Sequence, residues 1–477
     1  MKLLITSVPW TDTESPLLAP ALLKGMCQGK QIDTVAIDLN QEALHLVKQE
    51  FTTADAKMLQ EFFYHSTKGP DVVKVRRLVD FCVERIMSYD PTHVALSLLT
   101  YTSKTACEWI CFRLRQKAPN VKIIIGGAGI FNTLESKQNM AETLLQQHQI
   151  DYYIRGDGDL SLPDLVLKQY GRSVTGVITG VNSADWKQVP DLNQLPFPDY
   201  SDYDMGLYQN KSIGIVGSRG CVRRCTFCDI HEHWKKYQWR TADDIFEELI
   251  WHYKRTKVTK FKFQDSLING NQVEFRKLMK LLARYNEEHP AEPLQWSSFF
   301  IFRPQVQMPE QDWIDISKSA YGLTVGIEAI NEQVRFHMGK KFTNKDMHYC
   351  FDMCAKYKIP CHMLLIVGYV TDTEHTHKET MQWFESNKHY SGNPISGVSL
   401  GGTLGILPGT EIYRRREELG VELKDELFDH KWSIEKTGNT PSVRLRWHAE
   451  QTSTCQNAGF RVTSKTDNHL LMEQLMK

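Results

Sequence analysis

Three cysteines stand close together in Gly217-Ser-Arg-Gly-Cys-Val-Arg-Arg-Cys-Thr-Phe-Cys-Asp229, as Cys221, Cys225 and Cys228. They form a C-x3-C-x2-C triplet just behind the short apolar run at residues 213–216. Three thiolates at this spacing cannot all bridge one another, and they suit a loop wrapped around a compact metal cluster. A [4Fe–4S] cube has four iron corners, which four Cys normally fill, so three ligands leave one iron open to another molecule. That corner makes the cluster a site of chemistry as well as an electron store. Zinc is the competing reading, with His231 or His233 as a fourth ligand. Against zinc, no second C-x2-C follows, and Phe227 before the last Cys has no role in such a site.

The run Cys221-Val-Arg-Arg-Cys225-Thr-Phe-Cys228 resembles the signature of the radical S-adenosylmethionine (radical SAM) enzymes. The resemblance implies that the open iron chelates the amino and carboxylate groups of the methionine part of SAM. It also implies that reduction of the cluster cleaves SAM to methionine and a 5′-deoxyadenosyl radical. Arg223 and Arg224 lie inside the same loop, either neutralising the cluster and the SAM carboxylate or simply solvated.

The elements that must position this loop begin near residue 212. Strand patterns recur at 213–217, 260–264, 295–300, 323–327, 361–367 and 397–401, with helical patterns near 242–253, 272–285, 310–318, 344–357 and 373–386. This alternation predicts an open six-stranded partial (β/α)6 barrel. In closed α/β barrels catalytic groups sit at the carboxyl ends of strands, and by analogy the other strand ends surround the cysteine loop. They carry Gln264 and Asp265 after the second strand and Gly326-Ile-Glu328 after the fourth. Ile366-Val-Gly368-Tyr follows the fifth, and Leu407-Pro-Gly-Thr410 lies near the sixth. The resemblance assigns the SAM amino group to Gln264 and Asp265, a ribose hydroxyl to Glu328, the adenine to Phe227, and a SAM-side turn to Gly368. Two departures stand out: Gln264 where relatives often carry Asp, and a turn that reads Gly368-Tyr-Val-Thr-Asp. Cys350, Cys354 and Cys361 read as buried structural thiols, as do Cys107 and Cys111.

The first 170 residues alternate strand and helix from the buried strand at residues 2–8 onward, which predicts a flavodoxin-like doubly wound parallel sheet. Strands are expected at 34–38, 93–98, 121–125 and 152–155, a helix at 133–147, and a β-like piece at 173–181. Ligands of such sheets lie beyond the carboxyl ends of the strands. That edge carries Pro9-Trp10, Ser97 to Thr102, Gly126-Gly127-Ala-Gly129 and Arg155-Gly156-Asp-Gly158. In this order the segments resemble the cobalamin-binding domain in front of many radical SAM enzymes, which implies that Pro9, Ser97, Gly126, Gly127 and Gly156 line a cobalamin site. Other cobalamin proteins use D-x-H-x-x-G with a cobalt-ligating His, whereas this chain has Asp38-Leu-Asn40. The resemblance therefore implies cobalamin without a protein His under the cobalt. The expected organisation is 1–182 cobalamin-binding Rossmann-like domain, 183–211 proline-rich linker, 212–410 partial barrel and 411–477 mostly helical C-terminal segment.

The whole chain is consistent with this. Lys+Arg and Asp+Glu are equal at 57 each, which argues against nucleic acid as partner. Eleven Cys in 477 residues, with no signal peptide, fit a reducing cytoplasm. No apolar run approaches the ~18 residues that span a bilayer. The expectation is a cytoplasmic radical SAM enzyme holding a [4Fe–4S] cluster, S-adenosyl-L-methionine and cobalamin. It would methylate an unactivated carbon of a small-molecule or peptide substrate by way of methylcobalamin, with an electron donor such as flavodoxin or ferredoxin. The alternatives are a cyclising or rearranging enzyme of the same subgroup and, in another class, an Fe–S or cobalamin sensor.

Overall fold

The computed structural model describes residues 1–10, 15–65, 70–131, 139–167, 176–178, 189–208, 210–401, 403–424 and 430–463. The chain forms two compact units that divide between Gly214 and Ile215.

In the first unit six strands make one sheet: β1 Lys2–Ser7, β2 Asp33–Ile37, β3 His93–Ser97, β4 Lys122–Gly126, β5 Tyr152–Ile154 and β6 Gly176–Ile178. Their order is β2-β1-β3-β4-β5-β6, parallel throughout. Successive residues of each strand feed opposite faces. Leu4, Val94, Leu96, Ile123 and Ile125 enter one core, while Leu3, Ile5, Ala95, Ile124 and Ile154 enter the other. Burial on both sides explains the unbroken apolar runs of β1 and β4. The polar stretch after β2 folds into three helices, Leu39–Glu50, Thr53–His65 and Val72–Met87. The expected helix at 133–147 is described only over Met140–Gln146, and its residues 133–138 lie outside the described residues. So do residues 173–175 and 179–181 of the β-like piece.

Where it is described, the expected linker is extended apart from two single 3₁₀ turns, Leu192–Gln194 and Met205–Leu207, and it is not free. Lys24, buried midway along helix Leu18–Gly29, forms ion pairs with Asp199 at 3.2 Å and Asp202 at 2.7 Å. The Tyr203 and Tyr208 hydroxyls donate to the Leu17 carbonyl and the Asp38 carboxylate. Proline removes helix and strand as options, but the aromatic rings between the prolines still have apolar surface to bury.

The second sheet has the order β14-β13-β12-β11-β10-β7. Its strands are β7 Ser212–Ile215, β10 Lys260–Phe263, β11 Gln295–Phe300, β12 Ala320–Glu328, β13 Cys361–Leu365 and β14 Ile395–Ser399. From β10 to β14 every pair is parallel, and the crossovers are helices. These helices start where capping is available: Thr241, Asn271, Thr343 and Thr373 each accept a backbone N–H in the first turn. Residues 461–463 run beside β14, with Val398 and Thr463 amides bonded across, so the sheet edge is covered. After the sheet come the one-turn helix Glu411–Arg414, shorter than the expected 412–419, and the long helix Pro441–Asn457.

Candidate active site

Between β7 and β10 a two-strand ribbon closes the cysteine loop at its base. β8 Ser218–Arg219 pairs antiparallel with β9 Gln238–Trp239. Below the ribbon, the Arg240 amide donates to the Gly217 carbonyl at 2.8 Å, and its buried guanidinium donates to Val216 O at 2.9 Å and pairs with Glu248. The loop thus leaves and re-enters the barrel at one fixed place. Cys221, Cys225 and Cys228 are all half-buried on it. Burial pushes all three thiols up, Cys228 to about 12, with Lys340 and Arg223 opposing the shift at Cys221 and Cys225.

Of the two histidines in the zinc reading, His231 lines one cavity with Cys225 and Cys228, and its Nδ1 is buried without a partner. His231 Nε2 meets the Arg223 carbonyl at 2.6 Å, and His233 lies 3.5 Å from Asp229. Among the described residues no three His, Cys, Asp or Glu side chains form a single-ion site. Three half-buried thiols on one pinned loop suit a cluster that takes three thiolate ligands.

The five expected SAM residues have different surroundings. Glu328 ends β12 at a register shift and has φ +65°, so the bulge turns its side chain aside. There its carboxylate accepts from Lys340 Nζ at 2.8 Å, both groups being largely buried. Burial works against the Lys340 charge, but Glu328 and the Cys225 and Cys221 sulfurs outweigh it and hold the ammonium above its ordinary value. The same ammonium lies 5.9 Å over the Phe227 ring, which packs on the core beneath. Lys340 therefore gathers Glu328, Phe227 and two cysteines around one charge. Gln264 is exposed beyond β10, with its amide bonded to Ile215 O.

Asp265 and Gly368 depart from expectation. The Asp265 carboxylate, 2% exposed, accepts the Gly217 N–H at 2.7 Å and the Ser218 hydroxyl at 2.8 Å. It is a clasp on the strand that launches the loop and is not open to a ligand's amino group. Burial raises it to about 7 despite these donors. Gly368, at φ +77°, has the stem of Arg444 against it: a Cβ there would lie 2.3 Å from Arg444 Cγ. Its glycine is required by packing of the C-terminal helix.

Two cations were not anticipated. Arg303, beyond β11 in Phe302-Arg-Pro304, anchors on Asn269 O at 2.9 Å and has its Nε–H buried without a partner. Arg223 Nε is buried and unpartnered as well. Burial first, and the Arg223 charge second, lower Arg303, while Cys221 opposes them. Arg303 occupies a strand-end position, so the same positional rule would have found it. Lys340 lies twelve residues past Glu328, where no local pattern marks it.

In the first unit the strand order reverses between β1 and β3, the place where doubly wound sheets bind ligands. Pro9 and Ser97 are at that point, and Trp10 beside them is 1% exposed with its Nε1–H unpartnered. Gly127, at φ +103°, lies so close to the Leu98 carbonyl that a Cβ would approach it to 2.4 Å. That contact alone accounts for Gly127. Gly126 has room, its nearest neighbour being Ile154 Cβ at 3.7 Å from the position of a Cβ. Gly156 turns the chain after β5 at φ +88°. Asp38 is buried as the cap of helix Leu39–Glu50, held by Ser7 and Tyr208. Of the unit's histidines, His45 lies within a helix, His93 starts β3 and His148 is in a turn, so none of these three is at the carboxyl edge.

Residues 215–384 match the Radical SAM superfamily. An anaerobic magnesium-protoporphyrin IX monomethyl ester cyclase from Synechocystis sp. is 22% identical over 222 residues, 43% of this chain and 42% of the cyclase. A cytidylyl-2-hydroxyethylphosphonate methyltransferase from Streptomyces wedmorensis is 25% identical over 316 residues, 60% of this chain and 54% of that protein. The chain thus spans about half the length of these relatives. In fold it is similar to the radical S-adenosylmethionine methyltransferase TsrM from Kitasatospora setae, solved with cobalamin and a [4Fe–4S] cluster bound. The TM-score is 0.65 at 12% identity, covering 98% of this chain and 91% of that one.

Proposed function

We propose that this chain, a radical SAM protein through residues 215–384, is a cobalamin-dependent methyltransferase acting on an unactivated carbon of a small molecule or peptide. The observation that carries the radical SAM part is the pinned loop with three half-buried thiols at the carboxyl end of a parallel sheet. The cobalamin part rests on the flavodoxin-like sheet with its reversal at Pro9 and Ser97, and on likeness of fold to a cobalamin-holding methyltransferase.

In this reading Cys221, Cys225 and Cys228 hold the cluster, and Arg223, Arg303 and Lys340 offset its negative charge. When bound, the cluster and SAM supply a carbon-centred radical able to remove a hydrogen atom, and cobalamin supplies the methyl group. The protein's own work is to bind and orient. Arg303 and Arg223 offer unsatisfied N–H groups beside Cys221, suited to a carboxylate. Glu328, aimed by its bulge and steadied by Lys340, accepts from a hydroxyl, and Gln264 faces outward from the neighbouring strand end. Phe227 gives a flat apolar face for a purine. Pro9, Ser97, Gly126 and Gly156 border the cobalamin site. The electron for the cluster would come from an external one-electron donor, such as flavodoxin or ferredoxin.

The cyclase among the relatives supports a second reading, ring formation by the same radical without methyl transfer. Anaerobic incubation of the reconstituted chain with methyl-labelled SAM, a reductant and cell extract distinguishes them. Methyl transfer puts label and 5′-deoxyadenosine into the same reaction; cyclisation gives 5′-deoxyadenosine and an unlabelled product. Absence of 5′-deoxyadenosine from an iron-loaded protein would overturn both.

A further inference from the structure

Thr226, between Cys225 and Phe227, is held at all three of its polar groups by three different segments. Its N–H donates to Met338 O at 3.1 Å, and its carbonyl accepts the Ile412 N–H at 3.0 Å. Its hydroxyl lies 2.5 Å from the Tyr369 hydroxyl. Thr226 is 7% exposed and Tyr369 fully enclosed, so water does not compete for these bonds. The Tyr369 hydroxyl also lies 2.9 Å from His337 Nδ1. Burial keeps the phenol protonated far beyond neutral pH and disfavours charge on His337. In the Nε2–H tautomer of neutral His337, Nδ1 takes the Tyr369 proton, and Tyr369 in turn accepts the proton of Thr226.

Tyr369 is in turn fastened to the C-terminal segment. Its carbonyl accepts from Asn439 Nδ2 at 2.9 Å, and Asn439 Oδ1 accepts from Arg444 at 3.0 Å. Asn439 and Arg444 are fully buried, and the guanidinium lies 3.7 Å over the Trp432 ring while donating to the Trp432 carbonyl. A continuous chain of buried bonds therefore runs from the C-terminal helix to the middle of the cysteine loop. Cys221 has a different anchor, because it lies next to the β8–β9 ribbon that closes the loop.

We propose that Tyr369 is a positioning residue through which the C-terminal segment, residues 430–457, sets the place of Cys225 and Cys228. Its functional meaning rests on those cysteines being cluster ligands, since cluster geometry tolerates little displacement of its ligands. The positioning itself does not depend on iron. The test therefore uses the full-length, iron-free chain and reads alkylation of each cysteine by mass spectrometry. Tyr369→Phe and Thr226→Val each remove one end of the same bond with little change of shape. Either substitution is expected to speed alkylation of Cys225 and Cys228 about fivefold, the effect of one hydrogen bond, and to leave Cys221 within about twofold. The double variant should be no faster than the singles, because both remove one interaction. Asn439→Ala, at the remote end, should give the same pattern at Cys225 and Cys228 with a circular dichroism spectrum like wild type. If Asn439→Ala fails to fold, Asn439→Asp in the full chain keeps Oδ1 for Arg444 but removes the donor to the Tyr369 carbonyl, and it should speed alkylation of Cys225 and Cys228 selectively. Equal acceleration at all three cysteines, additive effects in the double variant, or no response to either C-terminal perturbation overturns the proposal. Iron uptake is measured separately: a wild-type chain that shows the alkylation pattern but takes up no iron refutes the cluster reading and leaves the positioning intact.

Discussion

Replacing Asp265 by Ala should unfasten the cysteine loop, whereas Asn at the same place should hold it. Asp265 is 2% exposed and accepts the Gly217 N–H at 2.7 Å and the Ser218 hydroxyl at 2.8 Å. In the Ala variant Ser218 can still donate to Leu267 O at 2.8 Å, but the buried Gly217 N–H has no other acceptor. An orphaned donor costs about 1–3 kcal/mol, and the small void left by the carboxylate adds about 1 kcal/mol. Asn keeps an oxygen for Gly217, and its amide can face Ser218, whose hydroxyl then turns fully to Leu267. The wild-type carboxyl has an opposing term. Burial raises it from 3.8 to about 7, so folding disfavours its charged form, relative to the unfolded chain, by about 4 kcal/mol. Its contribution is complete below about pH 4 and is lost as the pH rises through about 7, because the folded chain holds the proton that the unfolded chain has released. Asn does not titrate. Urea unfolding of the iron-free chain should therefore show Asp265→Asn gaining on wild type between about pH 4 and 7. Iron content after anaerobic reconstitution should be near wild type for Asn and well below it for Ala. An Ala variant with full iron and an unchanged midpoint would refute the clasp, as would an Asn variant that fails as Ala does.

Other outcomes follow from the same geometry. Reconstituted wild-type protein should hold about four irons per chain, and Cys221/Cys225/Cys228→Ala almost none; one equivalent of zinc without an iron chromophore would sink the cluster. Glu328→Gln should keep its iron but lose about 1.5–3 kcal/mol of SAM binding, roughly tenfold to over a hundredfold by equilibrium dialysis. Lys340→Met leaves Glu328 largely buried without its partner and should lower stability by about 3 kcal/mol, and adding Glu328→Gln should restore much of the melting temperature. Electron paramagnetic resonance of the cob(II)alamin-loaded chain should lack nitrogen superhyperfine splitting from an imidazole, since His45, His93 and His148 of the first unit all lie away from the carboxyl ends of its strands. Such splitting would place a histidine where none is expected.

Much of the architecture can be read from local patterns. Apolar runs such as residues 2–8 and 121–125 are continuous because a doubly covered parallel strand buries both of its faces, and that signal survives without any tertiary information. Capping residues and strand-end glycines punctuate the helices equally locally. The cysteine triplet is legible for a similar reason: three ligands on one short loop carry their geometry in their spacing. The same logic failed for the linker, where prolines announced extended chain but could not announce that Tyr203 and Tyr208 would find carbonyl and carboxylate partners more than a hundred residues away.

The set of elements, their order and the cysteine loop are thus local properties, each encoded within a few neighbouring residues. Tertiary structure decided which side chains the loop meets. Asp265 and Glu328 both follow strands of one barrel, and nothing local distinguishes them. One is drawn back under Gly217 and Ser218 as a clasp, and the other is turned by a bulge toward Lys340. Gly368 was marked by its turn, yet the reason for it is the stem of Arg444, 76 residues further on. Thr226 and Tyr369 carried no signal, because a buried hydroxyl acquires its partner only when segments distant in sequence pack together. Contacts of that kind depend on distances of a few tenths of an ångström between elements, and no local periodicity encodes them.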